Sequence, residues 1–279
     1  MTAKYFNPYT DFGFKKLFGE EGSKDLLIDF LNQLLPAYHQ IAELSFKNPE
    51  KVPSTPKERK AIFDIYCQTA KGERFIVEMQ KAKVNFFKDR ALFYSTFPIK
   101  EQAKKGLWNF ELMPVYFIAI LDFIYDEKEE ESKFRRDVCL KVQDGDVFYD
   151  KFHFKFLQMP LFNKQEHELE THFDKWVYFL RNLENFDHIP VILNEPIFQK
   201  GFEIAELSHL TARQYDAYLK SLVDYSEVQN VSDTAFGDGK IEGKIEQTME
   251  VAKALKENNV AIDIIMASTG LSEAEIEKL

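Results

Sequence analysis

Two apolar runs rich in β-branched and aromatic residues, 60–68 and 73–80, stand either side of Ala70-Lys71-Gly72. Period-two alternation and a glycine able to take positive φ predict an antiparallel hairpin with a three-residue loop. The polar residues inside those runs constrain the chain most. Asp64 sits in the middle of the first run, and Glu78 and Gln80 lie two apart in the second. A carboxylate in an apolar strand is costly unless something pairs with it. Glu78 and Gln80 share a face, because side chains alternate along a strand. A three-residue loop sets Thr69 opposite Glu73 and Asp64 opposite Glu78; a two-residue loop sets Asp64 opposite Met79. In the first register two carboxylates stand about 5 Å apart and resist ionising together. A divalent cation relieves that conflict. Mg²⁺ favours a few carboxylate oxygens plus water and substrate phosphate, and such a site can activate water against a phosphodiester. The same alternation, with Phe63, Ile65, Phe75, Val77 and Met79 inward, also describes an edge hairpin whose polar face meets solvent.

The rest of the chain supplies layers around this hairpin. Asp11 reads as a helix N-cap, followed by Phe14, Leu17 and Phe18 at helical spacing. A second helix is expected over 23–35, closed by Pro36. Three prolines make 48–57 a loop. Helical periodicity returns over 85–105, with a kink or break at Pro98. Residues 115–123 form a nearly continuous apolar run, the mark of a strand covered on both faces. Further strands are expected at 134–142 and 152–159. Helices follow at 167–180, 202–207 and 211–225. Gly237, Gly239 and Gly243 weaken the start of the next one, and Ser272 and Glu275 form a capping-box pattern near the end. Strands, one long helix and further strands describe a mixed α/β sheet.

Several function classes drop out. There is no phosphate-binding P-loop, no G-x-S-x-G and no H-E-x-x-H, and the Gly237–Gly243 spacing is wrong for a dinucleotide turn. His167 and His172 are five apart and share no helix face well; solvated helix histidines are the expectation. Cys67 and Cys139 offer neither a disulfide framework nor a zinc cage. No apolar run reaches the roughly 20 residues a membrane helix needs, and no leader peptide is visible, so a cytoplasmic protein is expected. The net charge of −10 is uneven. Residues 1–120 hold 18 Lys+Arg and 14 Asp+Glu (net +4), which leaves 18 and 32 (net −14) for residues 121–279. Only the first part attracts a polyanion unaided.

Asp64, followed fourteen residues later by Glu78-x-Gln80, resembles the core motif of the PD-(D/E)XK nuclease superfamily. More closely, the chain resembles the Rpn family of recombination-promoting nucleases, also described as PD-(D/E)XK family transposases. The stretches 10–19 and 25–35 resemble that family's opening helices. Arg90 to Tyr94, with Gln102, resembles the helix after the motif, and 114–116 the next strand. The Gly-Lys-Ile-Glu-Gly repeat and the Thr-Gly-Leu-Ser-Glu ending resemble its variable helical tail. The resemblance implies an α/β fold: a restriction-endonuclease-like mixed sheet flanked by helices, with an all-helical C-terminal extension. It implies a Mg²⁺-dependent (or other divalent-cation-dependent) DNA endonuclease linked to recombination or mobile DNA. Carried over by position, Asp64 and Glu78 ligate metal, the Met79 carbonyl adds a ligand, and Gln80 replaces the superfamily's usual lysine. A glutamine orients water but adds no charge. Lys15, Lys81 or Lys83 could supply that charge. Asp11 fits the acidic residue often contributed by the first helix, and Arg90 and Gln102 are further candidates.

Lys60, Lys81, Lys83 and Lys88 flank the motif and are the expected DNA contacts. The expected division is a nuclease-like core at 1–160, a helical extension packed on it at 161–231 and a helical tail at 232–279. In the tail Ile241, Ile245, Thr248, Ala252 and Leu255 fall at 4,3,4,3 spacing, a stripe suited to a homodimer. Two rival readings remain open at this level: a weak or inactive DNA- or protein-binding descendant, and a helical interaction protein with the α/β core as scaffold.

Overall fold

The structure, a computed structural model, describes residues 3–51, 61–103, 106, 109–125 and 133–279. It divides into two compact units, Met1–Glu227 and Val228–Leu279.

The first unit opens with α1 (Asp11–Phe18) and α2 (Lys24–Leu34). Their apolar stripes, Phe14, Leu17 and Phe18 in α1 and Leu26, Leu27, Phe30, Leu31 and Leu34 in α2, are buried. The N-cap of α1 is Thr10, not Asp11: the Thr10 hydroxyl accepts from the Gly13 N–H at 3.0 Å. Asp11 is the first helical residue, where its charge suits the helix dipole.

Six strands form one mixed sheet. β1 (Leu44–Phe46), β4 (Ile65–Thr69), β5 (Arg74–Gln80), β6 (Val115–Leu121), β7 (Arg135–Lys141) and β8 (Val147–Gln158) lie in the order β1-β4-β5-β6-β8-β7. β5, β6 and β8 are parallel neighbours; the other pairs are antiparallel. The crossover from β5 to β6 carries α3 (Phe87–Lys100), as a parallel connection requires. Pro98 falls in the last turn of α3, where it removes one N–H from the ladder, and the helix ends two residues later at Lys100. All seven residues of β6 are buried, as the continuous apolar run predicts. The two-stranded pairing of β2 (Glu50–Lys51) with β3 (Ala61–Ile62) lies outside this sheet. The expected loop at 48–57 is therefore partly strand, and residues 52–60 lie outside the described ones.

Period-two alternation gives the sheet two apolar faces. Ile65, Cys67, Phe75, Val77, Met79, Ile118 and Ile120 pack toward α1, α2, α4 (His172–Asn182) and α5 (Pro196–Ala205). Tyr66, Ile76, Phe117, Ala119 and Phe156 pack with Phe87 and Ala91 of α3. The hairpin is thus an inner element covered on both faces.

The expected helix at 167–180 starts later, at His172. Thr171 caps it, accepting from Asp174 N–H while the Asp174 carboxylate accepts from Thr171 N–H. His167 lies in a separate short turn. His172 is no solvated histidine, because its Nε2 meets Asp29 Oδ1 at 2.7 Å. Helix α6 (Ala212–Glu257) runs through Gly237, Gly239 and Gly243 without a break. Glycine costs a helix about 1 kcal/mol relative to alanine, yet it keeps its N–H, so it weakens the ladder without interrupting it.

In the second unit Ala252, Ile265 and Ile276 form a small buried cluster with Leu255, Val260 and Leu271. It joins the end of α6 to α7 (Ile262–Thr269) and α8 (Glu273–Glu277). The Ser272–Glu275 capping box is present. Among the described residues no helix is long and apolar enough to cross a membrane.

Candidate active site

The β4–β5 register pairs Ile65 with Val77 and Gln68 with Arg74. Continued by one residue, it sets Asp64 opposite Glu78, as the three-residue loop predicts. The strand does not continue as expected, however. Residues 61–68 are not one strand, for the chain bends at Phe63-Asp64 between β3 and β4. Side-chain acceptors replace ladder bonds there. Met79 N–H donates to Asp64 Oδ2 at 2.7 Å, and Asp64 N–H donates to Glu78 Oε1 at 3.2 Å. A short carboxylate beside its own backbone competes for such donors.

Glu78 is 1% exposed and its second oxygen accepts from Gln80 Nε2 at 3.0 Å. Burial pushes its carboxyl well above the usual range, and the facing Asp64 charge pushes it further. The Asp64 N–H, the Arg90 guanidinium and the Gln80 amide pull the other way without overcoming this. Asp64 is also raised, first by burial and then by Asp11; Met79 N–H, Lys15 and Lys81 oppose. Two carboxylates that both resist ionisation at one spot make a costly arrangement for a protein alone.

The carbonyl of Met79 belongs to the same corner. Along β5, Glu73 carbonyl accepts from Thr69 N–H on the β4 side, and Gln80 carbonyl accepts from Asp122 N–H on the β6 side. Alternation therefore turns the Met79 carbonyl toward β4, the side of Asp64. In an unbroken ladder Phe63 N–H would reach it; here Phe63 donates to the Pro49 carbonyl at 3.1 Å instead. Two carboxylates and a main-chain oxygen are hard donors that suit a cation keeping several waters. Among the described residues no group of three or more His, Cys, Asp and Glu is placed to hold a metal. A cation at this corner would draw on Asp64, Glu78, the Met79 carbonyl and water.

The other expected residues divide. Asp11 and Lys15, paired at 2.7 Å on α1, act on Asp64 together with Lys81; Arg90 of α3 acts on Glu78. Lys83 and Lys88 line a cavity of about 280 Å³ at the start of α3, with Asn85, Phe86 and Tyr125. Gln102 does not join them. Its side-chain amide is used by Met113, accepting from the N–H at 2.7 Å and donating to the carbonyl at 3.2 Å. Met113 precedes β6, at the end of the sheet opposite Glu78, which pairs with Ala119. Lys60 lies outside the described residues.

Two lysines had no signal in the sequence. Lys16 and Lys220 line a cavity of about 570 Å³ with Asp11, Lys15 and Lys81. Some 200 residues separate them in the chain, so no local motif joins them.

A family model described as PD-(D/E)XK nuclease family transposase matches residues 8–235. No curated protein and no solved structure matches the chain.

Proposed function

The chain belongs to the PD-(D/E)XK nuclease family transposases, and from that premise we propose that it is a Mg²⁺-dependent DNA endonuclease of the recombination-promoting, Rpn type. The six-stranded mixed sheet flanked by helices fits that family's α/β fold. The observation that carries the reading is the facing pair Asp64 and Glu78, both with raised proton affinity and with the Met79 carbonyl turned to the same corner. Such a pair is poorly served by protons or lysines alone and well served by a divalent cation.

Asp64, Glu78 and the Met79 carbonyl hold the cation, which supplies Lewis-acid chemistry at the phosphodiester when bound. Gln80 donates to Glu78 through its amide nitrogen and holds the attacking water through its carbonyl oxygen. Lys15, Lys81 and Arg90 offset the charge that builds on the attacked phosphate. Lys60, Lys83 and Lys88 hold flanking phosphates. The protein acts in the cytoplasm on recombining or mobile DNA. Residues 1–160 serve as the nuclease core, 161–231 as a helical extension and 232–279 as a dimerising tail. Ile241, Ile245 and Met249 are exposed on α6 and support that last role.

Cleavage of supercoiled plasmid tests the reading. Nicking is expected with Mg²⁺ and not with EDTA, and Asp64→Ala should abolish it. Equal nicking by the mutant would place the chemistry elsewhere. No cleavage with any divalent cation would leave a binding-only descendant. Light scattering tests the dimer: an Ile241→Asp, Ile245→Asp double variant should have half the mass of the wild type.

A further inference from the structure

The first turns of α6 are anchored at the end of the sheet that carries Glu78. The Tyr218 hydroxyl accepts from Asn7 N–H at 3.1 Å, and Ser221 Oγ accepts from Phe12 N–H at 3.1 Å. The Tyr225 hydroxyl donates to Asp122 Oδ2 at 2.7 Å. Asp122 directly follows Leu121, the β6 residue paired with Gln80. Lys220, adjacent to Ser221, therefore stands on a fixed stretch of helix beside α1.

The cavity between α1 and this stretch holds four lysines, Lys15, Lys16, Lys81 and Lys220, and three carboxylates, Asp11, Glu20 and Asp224. Two of the carboxylates are paired with lysines of α1, Asp11 with Lys15 at 2.7 Å and Glu20 with Lys16 at 2.8 Å. Such partly exposed i,i+4 pairs contribute little, so a phosphate can compete for these lysines. Lys220 is exposed and makes no ion pair among the described residues, although Asp224 is one turn away. The cavity adjoins the carboxylate pair, since Asp11, Lys15 and Lys81 all act on Asp64. Beyond Gln80, Lys81 lines this cavity and Lys83, two residues on, lines the one at the start of α3. A chain of phosphates crossing the corner of Asp64 and Glu78 would meet both.

We propose that the α1–α6 cavity takes the DNA backbone next to the scissile bond, with Lys220 and Lys16 as phosphate contacts. This deepens the nuclease reading and rests on it. Lys220 belongs to the part of the chain with net charge −14, where charge alone assigns no DNA contact. The fold brings it to the basic side. Lysine serves here as a point charge for a phosphate, a positioning role rather than a reading of bases.

The test is the salt dependence of duplex DNA binding by the full chain, read by fluorescence anisotropy with Ca²⁺ in place of Mg²⁺. Each phosphate contact adds about 0.9 to the slope of log affinity against log salt. Lys220→Gln should lower that slope by about 1 and weaken binding several-fold at moderate salt. Lys220→Arg should keep the slope. Lys71→Gln, in the hairpin turn at the far end of β5, should leave the slope unchanged, and thermal melts should show all three variants folded. An unchanged slope for Lys220→Gln, with wild-type binding intact, would overturn the proposal and spare the nuclease reading. A wild-type chain that binds no DNA would overturn both.

Discussion

The two ends of the β4–β5 hairpin each bury a glutamate, and the two are treated oppositely. At the turn end Glu73 is 7% exposed and faces Thr69. The Thr69 hydroxyl donates to Glu73 Oε2 at 2.9 Å, and His39 Nε2 pairs with the other oxygen. At the other end Glu78 faces Asp64, another carboxylate, and its proton affinity is raised by burial and then by that charge. The first glutamate is met by donors and closes a turn. The second also accepts from Asp64 N–H and the Gln80 amide, yet it faces a like charge as well. A buried acid with donors alone needs no further partner, whereas one that also faces a like charge is a candidate binding site.

The two glutamates differ most in what they contribute to activity. Glu78→Gln should reduce plasmid cleavage by on the order of 100-fold or more, while Glu73→Gln should leave cleavage per folded molecule unchanged. On stability the ranking reverses. Glu73→Gln disturbs the buried contacts of that carboxylate with Thr69 and His39 and should cost about 1–3 kcal/mol in a denaturant titration, while Glu78→Gln should cost nothing or stabilise.

The next effect is on pH. A carboxyl raised in the folded state binds its proton more tightly there than in the unfolded chain. Stability should therefore fall as pH rises from the ordinary carboxylate range through the raised value of Glu78, and Glu78→Gln should flatten that fall. Mg²⁺ should raise the melting temperature of the wild type at neutral pH, less so in acid, where protons compete, and not in Glu78→Gln. Equal protection of the variant would mean that the cation binds elsewhere.

The smallest effects concern backbone. Gly72 in the turn has φ +94°, and an added Cβ would lie 3.2 Å from Met113 Cγ. Gly72→Ala should destabilise by about 1–2 kcal/mol. Phe86, at the start of α3, is a non-glycine residue with a left-handed φ of +59°. Phe86→Gly should stabilise by about 0.5–1 kcal/mol. Both are read from the denaturation midpoint.

Much of the corner was legible because strand periodicity is local. Alternation put Glu78 and Gln80 on one face, and Gly72 chose the loop that sets Asp64 against Glu78. What failed was also informative. Asp11 could not be told from Thr10 as the cap, since both residues have capping side chains and only the bond to Gly13 N–H separates them. Gln102 lies on the expected stretch, yet its partner Met113 is eleven residues away, a separation that no helical or strand period describes. The bend at Asp64 arises because its carboxylate takes Met79 N–H, a competition between side chain and backbone that propensity does not encode.

The sequence by itself determined the alternation, the turn and the identity of the two carboxylates, because each depends on neighbours within a few residues. Only the tertiary structure decided that the hairpin is covered on both faces, that the charges of Asp11, Lys15 and Arg90 act on its carboxylates, and that Lys220 stands beside α1. The physical reason is range. Periodicity orders side chains along one element, whereas burial and charge depend on which distant elements pack around them, as Ser221 and Tyr225 do against α1 and β6.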